Sequence, residues 1–147
     1  LQPEAIFQSV VVDLDEEVLS LPVVKKTLNF LLNEVANVFS NEKVVCHGDV
    51  NHNNWLLTED NQLYLIDWDG AMIADPAIDL GMLLYWYIPE DNWNSWLNMY
   101  GKPLTENLKL RMKWYVALQT LSSIQFYKNK DGIQEMEKWI VFLDELL

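Results

Sequence analysis

The stretch Val44-Val45-Cys46-His47-Gly48-Asp49-Val50-Asn51-His52-Asn53-Asn54 constrains this chain more than any other. A β-branched apolar lead-in runs into a polar loop of Gly, Asp, Asn and His. A second apolar run, Leu63-Tyr64-Leu65-Ile66, ends at Asp67 and continues as Trp68-Asp69. Such a short apolar and aromatic run predicts a buried strand. Glu59-Asp60-Asn61-Gln62 precedes it and is a turn signal. Trp55-Leu56-Leu57 and residues 63–66 are therefore expected to form a hairpin, which returns Asp67 to the side of Asp49 and Asn54. Three oxygen-bearing side chains at one loop edge suit a hard cation. A single Asp or Asn after a strand is most often a turn residue that bonds its own backbone. The ordered set of three is what points to chemistry.

Asp49 and Asn54 also carry the spacing of the kinase catalytic loop, His-x-Asp-x-x-x-x-Asn. There the Asp takes a substrate hydroxyl proton and the Asn holds magnesium. A further metal-binding Asp follows that loop at the end of a hairpin, the place of Asp67. With Ile66-Asp67-Trp68-Asp69, the loop resembles the aminoglycoside phosphotransferase and choline kinase family. That family's usual loop reads His-Gly-Asp-Leu-His-x-x-Asn. Asp75-Pro76-Ala77-Ile78-Asp79-Leu80-Gly81 is similar to its Asp-Pro-x-x-Asp-Leu segment. These motifs cover residues 44–81. The departure is Asn51, where a His is common.

The resemblance implies a mostly α fold with small β-hairpins (α+β), the helical C-terminal lobe of a protein-kinase-like fold. It implies an ATP- and magnesium-dependent phosphotransferase that moves the γ-phosphoryl group to a hydroxyl of a small molecule: an amino alcohol, an amino sugar or a nucleoside. Asp49 is then the catalytic base, with Asn54 and Asp67 the Mg2+ ligands. His47 and Asp79 support the loop. His52, Trp86 and Trp93 stand on the substrate side, because aromatic faces take quaternary ammonium groups or flat rings. For most of the seven Trp, core packing is the plainer role.

What is missing matters as much. A kinase of this class covers the ATP phosphates with a Gly-rich loop and pairs them with a strand lysine. The five glycines are scattered at 48, 70, 81, 101 and 132, and nothing resembles Gly-x-Gly-x-x-Gly or Val-Ala-Ile-Lys. Only residues 1–43 precede the loop, and the first residue is Leu rather than Met. The expectation is that residues 1–147 are the C-terminal lobe of a larger protein. The N-terminal nucleotide lobe is then absent from this chain, and the fragment is inactive alone.

The composition narrows the partners. Half the residues are hydrophobic, as in a globular domain. A net charge of −12, from 10 basic and 22 acidic residues, excludes a phosphate-tracking nucleic-acid binder, which needs a basic face. No apolar run reaches the ~18 residues of a membrane span, so no membrane partner is expected. The one cysteine cannot form an internal disulfide, which points to the cytoplasm. Cys46 next to His47 reads as an inert strand cysteine rather than a nucleophile.

Elsewhere the pattern is helical. Residues 1–20 are ambiguous, since 9–12 fit a helix or a strand. A helix is expected over 22–39, with Ser20 as a possible cap and Val24, Leu28, Leu31, Leu32, Val35, Val38 and Phe39 on one stripe. Asp75-Pro76 starts a helix that Pro89 stops. A short helix follows to Gly101, then long ones over 106–127 and 133–147. Two other functions compete with the kinase: a non-catalytic kinase-like binding or regulatory module, and a metal-dependent hydrolase using the same carboxylates.

Overall fold

A computed structural model describes residues 2–147. The mostly helical class with small hairpins holds: 66% of the structure is helical, with two small antiparallel sheets. In chain order come α1 (Pro3–Val11), α2 (Glu16–Ser20), α3 (Pro22–Glu34), β1 (Val44–Cys46), β2 (Trp55–Leu57), β3 (Leu63–Leu65), β4 (Met72–Ala74), α4 (Ala77–Tyr87), α5 (Trp93–Tyr100), α6 (Glu106–Asn129) and α7 (Ile133–Leu146). The described residues fall into two compact units. Residues 40–112 form the first; residues 2–39 and 113–147 form the second.

The first unit holds both sheets. β2 and β3 pair with Trp55 opposite Leu65 and Leu57 opposite Leu63. β1 pairs with β4, Val44 opposite Ala74 and Cys46 opposite Met72. One pair is thus nested inside the other in sequence, which closes segments 47–54 and 66–71 against each other. An added Cβ on Gly48 would lie 3.2 Å from the Gly70 carbonyl oxygen, a measure of how closely they approach. β4 was not foreseen, because Met72-Ile73-Ala74 is too short to show a period and reads as linker. The apolar run over 63–66 predicts a buried strand, and the structure exposes it. Leu56, Leu57, Leu63 and Tyr64 are exposed, since among the described residues β2 and β3 pair only with each other.

Helices complete this unit. The Asp75 carboxylate accepts the Ala77 N–H at 2.9 Å and receives Arg111 in an ion pair, so it caps α4 and ties it to α6. Ile78, Leu80, Met82 and Leu84 of α4 are buried. Gly81 is required by proximity, since a Cβ there would meet the Met112 carbonyl oxygen at 2.8 Å. Gly101, at φ 90°, ends α5 in the left-handed region. Thr105 caps α6 by accepting the Leu108 N–H at 3.1 Å.

In the second unit, residues 9–11 of the ambiguous run end α1 and Val12 follows as its C-terminal cap, so the run is not a strand. Asp15 caps α2 by accepting the Val18 N–H at 3.0 Å. Ser20 does not cap α3. Its hydroxyl donates back to the Glu17 carbonyl, and Leu21 in extended conformation leads into Pro22. α3 ends at Glu34 rather than at 39, and a 3-10 turn over 35–37 follows. Val18, Val24, Leu31, Trp114, Leu118, Leu121, Ile124 and Leu143 are buried. The buried Trp114 indole N–H is satisfied by the Leu31 carbonyl at 2.9 Å. No helix among the described residues is long and apolar enough to cross a membrane.

Candidate active site

The loop after β1 is held from below by a carboxylate. Asp79, in the first turn of α4, accepts the His47 N–H at 2.7 Å and the Gly48 N–H at 2.9 Å, one on each oxygen. Two successive backbone N–H groups aimed at one carboxylate form a tight brace for the turn, and Gly48 takes φ +83° within it. His47 is buried and joins the two closed segments. Its Nδ1 accepts the Asp49 N–H at 3.2 Å, so its Nε2 carries the proton and donates to the Ile66 carbonyl at 2.7 Å. The Trp68 ring meets the imidazole edge-on, with centroids 4.8 Å apart.

Asp49 is exposed, yet fixed. The amide of Asn54 donates to the Asp49 carbonyl at 2.7 Å and to Asp49 Oδ2 at 3.0 Å. The amide of Asn51 donates to Asp49 Oδ1 at 2.5 Å. Asn54 is itself buried at the end of the 3-10 turn that leads into β2, and its carbonyl accepts the Ile66 N–H at 2.9 Å. Asp67 therefore follows a residue bonded to Asn54. Asp67 stands at φ 63°, a left-handed conformation that Asp tolerates better than most residues. It is exposed, and no hydrogen bond or ion pair among the described residues engages its carboxylate.

With its nitrogen turned to Asp49, Asn54 keeps its amide oxygen for another partner. Asn54 and Asp67 thus offer two hard oxygen donors. Among the described residues no three His, Cys, Asp or Glu side chains converge on a metal position. The donor set is an open one. That suits Mg2+, which keeps several waters and is shared between one or two protein oxygens and substrate phosphates, rather than sitting in an all-protein cage.

The remaining candidates separate. The His52 N–H donates to the Tyr87 hydroxyl at 2.9 Å, and its Nδ1 lies 3.4 Å from the same oxygen, so the end of α4 anchors the loop's outer side. Trp86 is half-buried with its ring edge-on to Tyr87, at 6.3 Å. Trp93 is a packing residue: it is 5% exposed, its indole N–H donates to the Leu84 and Ile88 carbonyls, and Tyr85 packs on it at 4.5 Å. Cys46 is buried with its thiol directed at the Asp75 carbonyl. Burial, then the charges of Asp79 and Asp75, push it up to about 12, so it holds no thiolate near neutral pH. The contacts of Asn51, Trp68 and Tyr87 escaped the sequence reading. Nothing in the sequence links Tyr87 to a loop 35 residues earlier.

The model of the phosphotransferase enzyme family matches residues 4–115. The chain belongs to that family. Among solved structures, it is similar to choline kinase LicA from Streptococcus pneumoniae, at 18% identity and a TM-score of 0.71, covering 99% of this chain and 56% of that one. A choline/ethanolamine kinase family protein from Mesorhizobium loti matches at 18% identity and 0.71, covering 99% and 53%. Spectinomycin phosphotransferase APH(9)-Ia, in complex with ADP and spectinomycin, matches at 15% and 0.57, covering 99% and 56%. At these identities the likeness is one of fold, and it is the kinase-like fold that the loop motif implied. The chain spans about half the length of the structures it matches.

Proposed function

We propose that this chain is the catalytic-loop half of an ATP-dependent phosphotransferase acting on a hydroxyl of a small molecule. The observation that carries this is Asp49: a solvent-facing carboxylate held by two side-chain amides, on a loop whose other wall ends in Asp67. Asp49 accepts the proton of the substrate hydroxyl. That oxygen forms a bond to the γ-phosphorus as the bond to the β–γ bridging oxygen breaks, and ADP leaves. Asn54 and Asp67 hold Mg2+, which when bound neutralises charge on the phosphates. His47 and Asp79 keep the loop in place, so the Asp49 carboxylate needs little rearrangement to meet the hydroxyl. His52 and Trp86 face the acceptor, an amino alcohol, amino sugar or nucleoside. Trp93 is set aside, because its indole is enclosed.

Nucleotide use is supported by relatives of the same fold solved with AMP and with ADP. In this reading the nucleotide-covering lobe lies outside these 147 residues, and the one buried, unbridged cysteine fits a cytoplasmic setting. A second reading, a non-catalytic kinase-like module, draws on the absence of a Gly-rich loop in this sequence. Steady-state kinetics of the protein with its nucleotide lobe, across a magnesium titration and a panel of alcohols, separates the two. Asp49→Asn keeps the shape and removes the base, so kcat falls by about a hundredfold or more while apparent ATP and magnesium affinities hold. Asp67→Asn instead raises the magnesium concentration needed. Near-normal turnover by Asp49→Asn, or its rescue by added magnesium, overturns the assignment of Asp49 as base.

A further inference from the structure

We propose that Asn51, which departs from the usual family loop, is the positioning residue for the Asp49 carboxylate. The proposal deepens the phosphotransfer reading and rests on it for its kinetic arm. A carboxylate on an exposed loop is held more firmly about its last torsion when both oxygens have directed donors. Here each oxygen has its own amide donor: Asn54 at Oδ2, at 3.0 Å, and Asn51 at Oδ1, at 2.5 Å. Each oxygen retains lone-pair capacity for the substrate hydroxyl, because a carboxylate oxygen accepts more than one hydrogen bond. Asn54 alone would leave Oδ1 unheld.

The orientation of the Asn51 amide is fixed by its two neighbours. Its Oδ1 accepts the Asn53 N–H at 2.9 Å, capping the 3-10 turn over 52–54, while its Nδ2 faces Asp49. A flipped amide would set oxygen against carboxylate and N–H against N–H, so only one assignment is consistent. The same side chain thus joins the cap of the turn that carries Asn54 to the carboxylate that Asn54 holds.

The two halves of Asn51 can be separated. Asn51→Asp keeps an oxygen to accept the Asn53 N–H but has no donor for Asp49. Asn51→Ala loses both. If Asn51 positions Asp49, both variants lose about tenfold or more in kcat, with KM for ATP and for the acceptor within about twofold, and Asn51→Asp melts within a few degrees of native. Native kcat in Asn51→Asp shows a cap and nothing more, and overturns the proposal. A second measurement needs no activity. In 15N-edited spectra of the 147-residue chain, the two Asn51 carboxamide protons are expected to be widely split, one of them hydrogen-bonded, and Asp49→Ala collapses that splitting. Carboxamide signals indifferent to Asp49→Ala overturn the contact itself. A protein with its nucleotide lobe that transfers no phosphoryl group, yet shows the Asp49-dependent splitting, keeps the clamp and refutes the phosphotransfer reading instead.

Discussion

Gly48 shows how little freedom single residues of this loop have. It sits at φ +83°, with both Gly70 and Met72 at 3.2 Å from where a Cβ would stand. An alanine there takes on a left-handed conformation that costs roughly 1–2 kcal/mol and pushes on the Gly70 backbone as well. Gly48→Ala is therefore expected to lower the melting temperature by several degrees, and to displace the segment that carries Asp67. Differential scanning calorimetry reads the first effect, and an unchanged melting temperature would show that the loop yields at no cost. Asp49 and Asn54 could be picked out as candidates from their loop spacing, and Asp67 from the hairpin that returns the chain beside them. Asn51 could not, because its role depends on a side-chain amide reaching back two residues, which no periodicity records.

Among the elements, α2 and the end of α6 are joined by charge. Asp15 accepts from Lys128 at 2.6 Å, from Gln125 at 3.0 Å and, through its other oxygen, from the Val18 N–H at 3.0 Å. The Lys128 contact first, then those to Val18 and Gln125, hold the Asp15 carboxyl well below the usual carboxylate range. Lys128 is raised in turn, chiefly by Asp15 and then Glu17. A depressed carboxyl stabilises the fold above its unfolded value, near ~3.9, and that stabilisation is lost as pH falls toward the folded value. The raised lysine stabilises below its unfolded value, near ~10.4, and its share is lost as pH rises through the folded one. Asp15→Asn retains a good cap and removes the charge. The variant should therefore melt below the native chain at pH 7, with the gap closing as pH falls below about 4. A gap constant down to pH 2 would show that packing rather than ionisation joins these helices. Long helices such as α6 and α7 were legible from their length and from apolar residues at helical spacing; α7 is amphipathic, whereas the middle of α6 is buried on most of its faces. The helix over 9–11 and β4 were not, because runs of three or four apolar residues fit either period.

For the whole molecule, the question is what 147 residues can do. The fold class was legible because the loop, the hairpin and the Asp-Pro helix start come in the order of one family, and the family match bears that order out. The chain spans 53–56% of the structures it matches, and its five glycines form no phosphate-covering loop. Phosphoryl transfer depends on charge stabilisation from both sides of the phosphates. In the proposed reading Asp49, Asn54 and Asp67 supply one side only. On that argument the 147-residue chain binds ATP weakly even with saturating magnesium, and turns over at a small fraction of the rate of a protein that also carries a Gly-rich loop and a phosphate-pairing lysine. Calorimetric titration with ATP and magnesium, beside a coupled ADP-release assay with amino alcohols, amino sugars and nucleosides, measures both. Tight nucleotide binding with rapid transfer by these 147 residues would mean that the phosphates are covered by groups within this sequence, and that the lobe assignment is wrong.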